Sequence, residues 1–504
     1  MSAQYCSVVL DDSDVELLTY AIKNHYWYQG YIDDLPVWGL VGEMLPNSAD
    51  SSGKLIPHVY THRELSFGYS GNQIVEVNMT AAAPVPVDSG EVLALTYAVH
   101  WTASSQPFVS RFRRYLDHGF FEHDIHWLSL FNSFMLVLFM VGVVALILAR
   151  TLRADVARYL SAEEAADVEA LANLAATDEG GWKQCHGDVW RPPVHMSLLA
   201  ALVGAGCQLL AMAAAVLGTG IVAALHWYER GTLTGIILGS YALTSIVNGG
   251  VSAHVYKNYF PAGAPTPGWA STALLSGSLM PGTALIMVGG LNVVAAAYGT
   301  TNQVPFTTIL GLLALWLVVS APLTAVGSIT ARRMQHRAPA ARVSMAPRPL
   351  PAQRPWYTAP VTLCALAGLL PFGAVAVETY YVLSSFATVH KFYYVYGFML
   401  LVTCVLVVVA ACVAVVATYA LLGAEDWRWP WVAWASGATS GVYVFIYGAW
   451  YYLVRTYMSG FLQAVFFFSY LGMASAAVGL LAGGVAYLAA RRFVRLLFSS
   501  VKME

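Results

Sequence analysis

The interleaving of polar and apolar positions changes once along the chain. Through the first 126 residues charged and apolar side chains alternate at short range, and from 127 onward long apolar runs are separated by short polar links. A bilayer core about 30 Å thick takes roughly 20 apolar residues per helix. Nine runs reach that length, at about 127–149, 197–225, 231–255, 271–298, 306–330, 359–385, 393–422, 430–454 and 463–490. Between 197 and 330 three charged residues occur, Glu229, Arg230 and Lys257. The short links near 226–231 and 299–305 make the helices they join antiparallel neighbours. A β-barrel fits this pattern poorly, because its strands alternate over about 10 residues.

The first 126 residues read differently. Ser13-Asp14-Val15-Glu16 has the form of a capping box, and Val15, Leu18 and Ile22 follow at helical spacing, which predicts a helix over 14–28. Residues 64–80, with Gly71-Asn72 at the centre, read as a hairpin. Leu93, Leu95, Tyr97, Val99 and Trp101 alternate with smaller or more polar residues, as in a strand with one buried face. The expected fold is an α-helical polytopic membrane protein with nine transmembrane helices and a small, mostly-β lumenal domain at the N-terminus. Its parts are the domain 1–126, a first helix 127–149, a cytosolic loop 150–196, an eight-helix bundle 197–490 and a cytosolic tail 491–504.

Composition narrows the function. The 504 residues are 58% hydrophobic and 11% charged, against about 25% charged in soluble domains. Disorder is excluded, since it needs low hydrophobicity and high charge. A net charge of −2 gives nucleic acid no basic footprint. Six cysteines are no disulfide framework. Lys and Arg in short loops set orientation. With 150–196 in the cytosol, seventeen fall on the cytosolic side, and only Arg230, Lys391 and Arg455 fall opposite. That puts the N-terminal domain in the lumen and the C-terminus in the cytosol. Residues 1–20 lack the charged and apolar regions of a secretory signal, so the expectation is that the true N-terminus lies upstream.

Several segments together resemble the transmembrane-nine superfamily, the nonaspanins or endomembrane protein 70-like proteins. Tyr31-Ile32-Asp33-Asp34-Leu35-Pro36-Val37-Trp38-Gly39 with Val41-Gly42 looks like its lumenal signature. Gly181-Trp182-Lys183 with His186-Gly187-Asp188-Val189-Trp190-Arg191-Pro192-Pro193 resembles its loop motif. Pro355-Trp356-Tyr357, Leu370-Pro371-Phe372-Gly373 and Glu425-Asp426-Trp427-Arg428-Trp429 are similar to later signatures. Gly249-Gly250-Val251-Ser252 stands where the family has Gly-Tyr-Val-Ser, so no role is carried to that position. The resemblance implies a Golgi and endosomal protein that helps localise and sort other membrane proteins, some with glycine-rich transmembrane helices. It implies no catalytic activity and no cofactor. The tail Lys502-Met503-Glu504 resembles the family's Golgi-retention signal, read by the COPI coat through an ammonium two residues before a carboxylate pair.

Other residues carry competing readings. Glu378 is the one acidic residue well inside a predicted span. It is either a protonated group hydrogen-bonded between helices or the centre of a transporter or channel, the alternative function. His254 lies near a helix end, where a snorkelling side chain is ordinary. Asn78-Met79-Thr80 is a glycosylation sequon. Glu122-His123-Asp124-Ile125-His126 has zinc-type ligands, but interfacial polar residues are expected there and no metal is assigned. Gly437-x-x-x-Gly441 and Gly479-x-x-x-Gly483 allow close helix approach, either inside the bundle or toward a client helix. Trp127, Trp227, Tyr228, Trp429 and Trp431 fit an interfacial belt. The arginines of loop 331–358 set topology or touch anionic lipid.

Overall fold

The computed structural model of the chain describes residues 2–46, 55–90, 92–108, 111, 127–164, 182–226, 232–261, 266–300, 303–334, 343–351, 355–387, 396–456 and 458–499. These form two compact units, one built chiefly from the first 124 residues and one from the helices that follow.

The N-terminal unit runs β1 Ser2–Val9, α1 Asp12–Lys23, β2 Trp27–Ile32, β3 Leu35–Leu40, β4 Gly42–Pro46, β5 Leu55–Ser70, β6 Gln73–Pro86 and β7 Val92–Ala103. The main sheet has the order β1-β7-β5-β4, and β6 also pairs with β5. β5 is antiparallel to β6 and parallel to β7. Helix α1 starts two residues earlier than its pattern predicts. Asp11 is the N-cap and accepts from the Asp14 N–H at 2.8 Å, while the Asp14 carboxylate accepts from the Asp11 N–H at 3.3 Å. Ser13 does not cap, because its hydroxyl donates to Asp11 Oδ1. The helix ends at Lys23, where the chain turns through His25 with positive φ. β7 does not keep one buried face. A bulge in β1 lies opposite Leu95–Thr96, and Trp101, 57% exposed, stacks on Phe67 at 4.7 Å instead of entering the core.

Asp33 and Asp34 are the two residues between β2 and β3, both with positive φ. That is a type I′ hairpin turn, and Asp tolerates its left-handed backbone. Leu35 and Val37 then point inward with Phe67 and Val77. Gly39 is close-packed: a β-carbon there would collide with Tyr28 and sit 2.8 Å from Met79. The Asp-Asp-Leu-Pro-x-Trp-Gly signature is thus a folding device.

The helical unit runs α2 Trp127–Glu164, α3 Met196–His226, α4 Thr232–Lys257, α5 Trp269–Ala297, α6 Phe306–Leu315, α7 Ala321–Arg333, α8 Pro360–Ala387, α9 Tyr396–Gly423, α10 Trp429–Arg455 and α11 Phe461–Ser499. α6 and α7 form one rod, joined by a π turn over Trp316–Ser320. Among the described residues seven rods are long and apolar enough to cross a membrane. Helices α2 and α10 also occupy predicted spans, but they do not meet that length-and-composition measure. Only Phe134–Ile147 of α2 forms an apolar helical stretch, and α10 dilutes its apolar residues with Gly, Ser, Thr, Trp and Tyr. Nine spans are therefore not established. α11 runs past the predicted end at 490, because Phe493, Val494, Leu497 and Phe498 stay buried in the largest apolar cluster.

Candidate functional site

One end of the helical unit is closed by a polar clamp. Asp188, 5% exposed, accepts from Arg191 Nε at 3.0 Å and Nη2 at 2.6 Å, from Ser344 Oγ at 2.8 Å and from the Arg348 N–H at 3.0 Å. Burial raises the Asp188 carboxyl, but the bonds from Arg191, Ser344 and the Arg348 backbone outweigh it and hold the group below the usual carboxylate range. Arg348 also pairs with Glu425 at 3.0 Å and donates to Gln184. Asp426, fully buried, accepts from the Arg428 N–H, Nε and Nη2. Trp429 Nε1 donates to Val189 O at 2.9 Å, and its ring stacks on Tyr487. The loop motif and the 425–429 signature are the two halves of this clamp. Trp429 is therefore a core residue, not part of an interfacial belt, since its indole is needed to satisfy a buried loop carbonyl. Lys257 closes the same end from another side, donating to the carbonyls of Arg332 and Met334 at the end of α7.

Beyond the clamp lies a buried polar ladder between α3, α4, α5 and α7. Gln208 Nε2 donates to Tyr241 O and Ser245 Oγ, and Asn248 Nδ2 donates to Ser276 O at 2.8 Å. Thr324 and Ser328 hydroxyls reach the carbonyls of Ser245 and Gly249. Glycines bring these helices close enough. A β-carbon at Gly204 would meet Asn248 Oδ1 at 2.6 Å, and one at Gly249 would collide with the Thr324 carbonyl. At Gly250 a β-carbon would meet only Gly327 O, at 3.8 Å. Interhelical polar contacts and small residues are the usual glue of membrane bundles. Sequence reading misses this ladder, because single Ser, Thr, Asn and Gln residues inside apolar runs do not interrupt them.

Along α3 to α6 the packing changes toward the other end. At Gly218, Gly235, Gly239, Gly282, Gly289, Gly290 and Gly311 a β-carbon would meet nothing within 4 Å. Helix α6 buries no residue, whereas α7 buries Thr324, Gly327, Ser328 and Ala331. Asn292 holds the loop after α5, accepting from the Val304 N–H at 2.8 Å and donating to Val304 O at 3.2 Å. Trp316 Nε1 donates to Gly277 O at 2.9 Å. Between these two pins α5 and α6 do not pack closely.

The residues singled out in the sequence do not converge. Gly437 faces Ala482, Gly441 faces Ser475 and Gly479, and Gly483 faces Trp434, so both Gly-x-x-x-Gly motifs are consumed by α10–α11 packing. Glu378 lies in α8 and is 4% exposed, one turn beyond Ala374, which packs with Met140 and Val409. His254 lies near the end of α4 and its carbonyl accepts from Asn258. Asn78 is exposed in β6. Of the loop 331–358 arginines, Arg332 stacks on Trp269 at 4.1 Å and Arg348 is in the clamp. Lys502, Glu504, residues 122–126, Trp227, Tyr228, Arg337, Arg342 and Arg354 lie outside the described residues. Among the described residues no three His, Cys, Asp or Glu side chains group as metal ligands. A cavity of about 650 Å³ is lined by Phe131, Phe134 and Val137 of α2 and Leu401, Cys404, Val405 and Val408 of α9. It offers hydrocarbon contact and nothing to orient a polar solute.

Comparison with known proteins agrees with this architecture. The family model for endomembrane protein 70 matches residues 1–461. Transmembrane 9 superfamily member 4 of Arabidopsis thaliana is 34% identical over 509 residues, 99% of this chain and 83% of the relative. Transmembrane 9 superfamily member 1 of Mus musculus is 34% identical over 517 residues, 99% of this chain and 82% of the relative. No solved structure matches the chain. With the family match reaching from the N-terminal unit through most of the helical one, the chain belongs to the transmembrane 9 superfamily, a family of multi-pass membrane proteins.

Proposed function

We propose that this protein helps localise and sort other membrane proteins in Golgi and endosomal membranes, by holding their glycine-rich transmembrane helices, and that it does so without catalysis. The observation that supports this most is the row of uncovered glycines on α3 to α6, beside an α6 that buries nothing. Small residues let helix backbones approach within van der Waals and Cα–H contact. Glycines already closed on each other cannot do this for a partner, and bare ones can. The client surface is thus the open half of α3–α6, not the Gly-x-x-x-Gly pairs of α10 and α11. Membrane lipid fills this surface when no client is present, as it does the α2–α9 cavity.

The proposed topology places the N-terminal unit in the lumen and the clamp in the cytosol, as the excess of Lys and Arg in the clamp-side loops favours. In that orientation Lys502 and Glu504 are presented to the COPI coat. Gly289→Leu with Gly290→Leu tests the client surface. Client recovered with the purified protein, and client at the cell surface, should both fall while the protein's own level stays constant. Unchanged client recovery would overturn the assignment. Lys502→Ala should release the protein from the Golgi. Solute or proton flux in proteoliposomes that Glu378→Gln abolishes would instead establish a transporter.

A further inference from the structure

We propose that Asn78 carries an N-linked oligosaccharide on the polar outer face of the five-stranded sheet. This rests on the lumenal orientation proposed above. Asn78-Met79-Thr80 is the only Asn-x-Ser/Thr in the 504 residues, and no proline within it or directly after it blocks transfer, since Met79 and Ala81 occupy those positions. A position in the middle of a strand is unusual for an acceptor, and the structure shows that the finished strand leaves a modified Asn78 on its solvent side. Along β6, Val75 and Val77 are buried and Met79 packs on the same inner cluster. The alternate residues Asn78 and Thr80 are both exposed. Side chains two apart share one face of a strand, so acceptor and hydroxyl stand together on the solvent side.

The surroundings leave room for a branched sugar. Asn78 lies opposite Ser66, and Thr80 lies opposite Glu64. On the next strand Ser66 lies beside His100, itself half-exposed and 3.2 Å from Glu64. These neighbours are short or charged, and they supply hydroxyl, carboxylate and imidazole partners for sugar hydroxyls. A glycan here would displace no apolar contact.

The transfer is written fully. The side-chain amide nitrogen of Asn78 forms a bond to C1 of the first sugar of a lipid pyrophosphate-linked oligosaccharide. The C1–O bond to the pyrophosphate breaks, the lipid pyrophosphate leaves with that electron pair, and the amide nitrogen gives up one proton. Once β5 and β6 are paired through Ser66 and Asn78 the segment is extended, so transfer has to precede closure of the hairpin.

The experiment treats the full-length protein from eukaryotic cells with peptide N-glycosidase and maps the modified peptide by mass spectrometry. The expected result is a mobility shift in the wild type that is absent in both Asn78→Gln and Thr80→Ala, and retained in Thr80→Ser. Both substituted positions are exposed, so these variants should fold. Ala103→Asn, which creates Asn-Ser-Ser at the exposed end of β7, separates the two ways of failing. If Ala103→Asn is glycosylated and Asn78 is not, this proposal is overturned and the lumenal orientation stands. If neither is modified, the orientation itself fails and takes the proposal with it.

Discussion

Pro281 and Trp316 make a pair whose coupling can be predicted in sign and size. Pro281 lies inside α5 and has no N–H, so the Gly277 carbonyl four residues back loses its helical donor. In a bilayer such a carbonyl must find a partner elsewhere. It finds Trp316 Nε1, at 2.9 Å, at the first residue of the π turn. Trp316→Phe removes the donor and keeps most of the ring. Interhelical hydrogen bonds in membrane proteins are worth about 0.6 kcal/mol on average and about 1.7 at most. Gly277 O here has no helical donor to fall back on, so we expect about 1 kcal/mol of destabilisation from the lost bond. Pro281→Ala returns an N–H to the Gly277 carbonyl. In that background the same Trp316→Phe change should cost little beyond lost ring contact. The four proteins, purified and unfolded reversibly in mixed micelles, should give a coupling of about 0.5–1.5 kcal/mol. Additivity within about 0.3 kcal/mol would refute the account.

Three further outcomes follow from the clamp and the glycines. Asp188→Ala removes the buried acceptor shared by Arg191, Ser344 Oγ and the Arg348 N–H, and should cost about 3 kcal/mol. The release is read by alkylation of Cys185, which is fully buried and whose thiol burial pushes up to about 12, so it should be inert in the wild type and labelled in the variant. Because the Asp188 carboxyl is depressed in the folded state, its contribution is complete above the ordinary carboxylate value of about 3.9 and disappears as pH falls through the folded value. The gap in melting temperature between wild type and Asp188→Asn should therefore be flat from pH 7 to about 5 and shrink below about 4. Gly441→Leu meets Gly479 backbone at under 3 Å and should abolish monodisperse protein on size exclusion, whereas Gly289→Leu, which meets nothing, should leave the elution profile unchanged.

How far the fold is legible depends on scale. Apolar runs of 20 and more residues locate the helices, as with α4, predicted over 231–255 and found at Thr232–Lys257. The ends escape where burial continues after hydrophobicity stops. Arg491 and Arg492 interrupt the apolar run, yet α11 goes on, because Arg491 is buried near the Tyr259 ring and Phe498 packs on Trp182. The clamp is visible in sequence only as two separate segments that resemble family motifs, since Asp188 and Glu425 are 237 positions apart and nothing local links either to Arg348. Trp429 misleads for a related reason. A tryptophan at a span end has the same neighbours in sequence whether it faces lipid or a docked loop. The glycines are the least legible, because closed Gly249 and bare Gly239 lie ten residues apart in one helix and differ only in what the fold brings beside them.

That contrast carries a structural consequence. In α5 to α7 two breaks in regular helix, Pro281 in α5 and the π turn at Trp316–Ser320, fall at the level where glycine packing changes. On the clamp side a β-carbon at Gly277 would meet Thr324 at 3.5 Å and Gly249 is pressed on α7; on the other side a β-carbon at Gly282 or Gly311 would meet nothing within 4 Å. Regular ladders resist bending, and Pro and π turns are where helices yield. The clamp side holds the polar ladder, the aromatic core and the buried carboxylates, so it has many interactions to lose on moving. On the far side α8, α10 and α11 keep buried Glu378 and a set of ring contacts, so it is α3 to α6 that have few. A helix arriving from the membrane would meet the half of the bundle that its own contacts restrain least, hinged at the Trp316–Gly277 bond. If that is how clients enter, Trp316→Phe should weaken the hinge pin and change client recovery while leaving the clamp, read by Cys185 protection, intact. A variant that labels Cys185 as readily as Asp188→Ala does would show that the two halves unfold together, and the division of labour between them would be wrong.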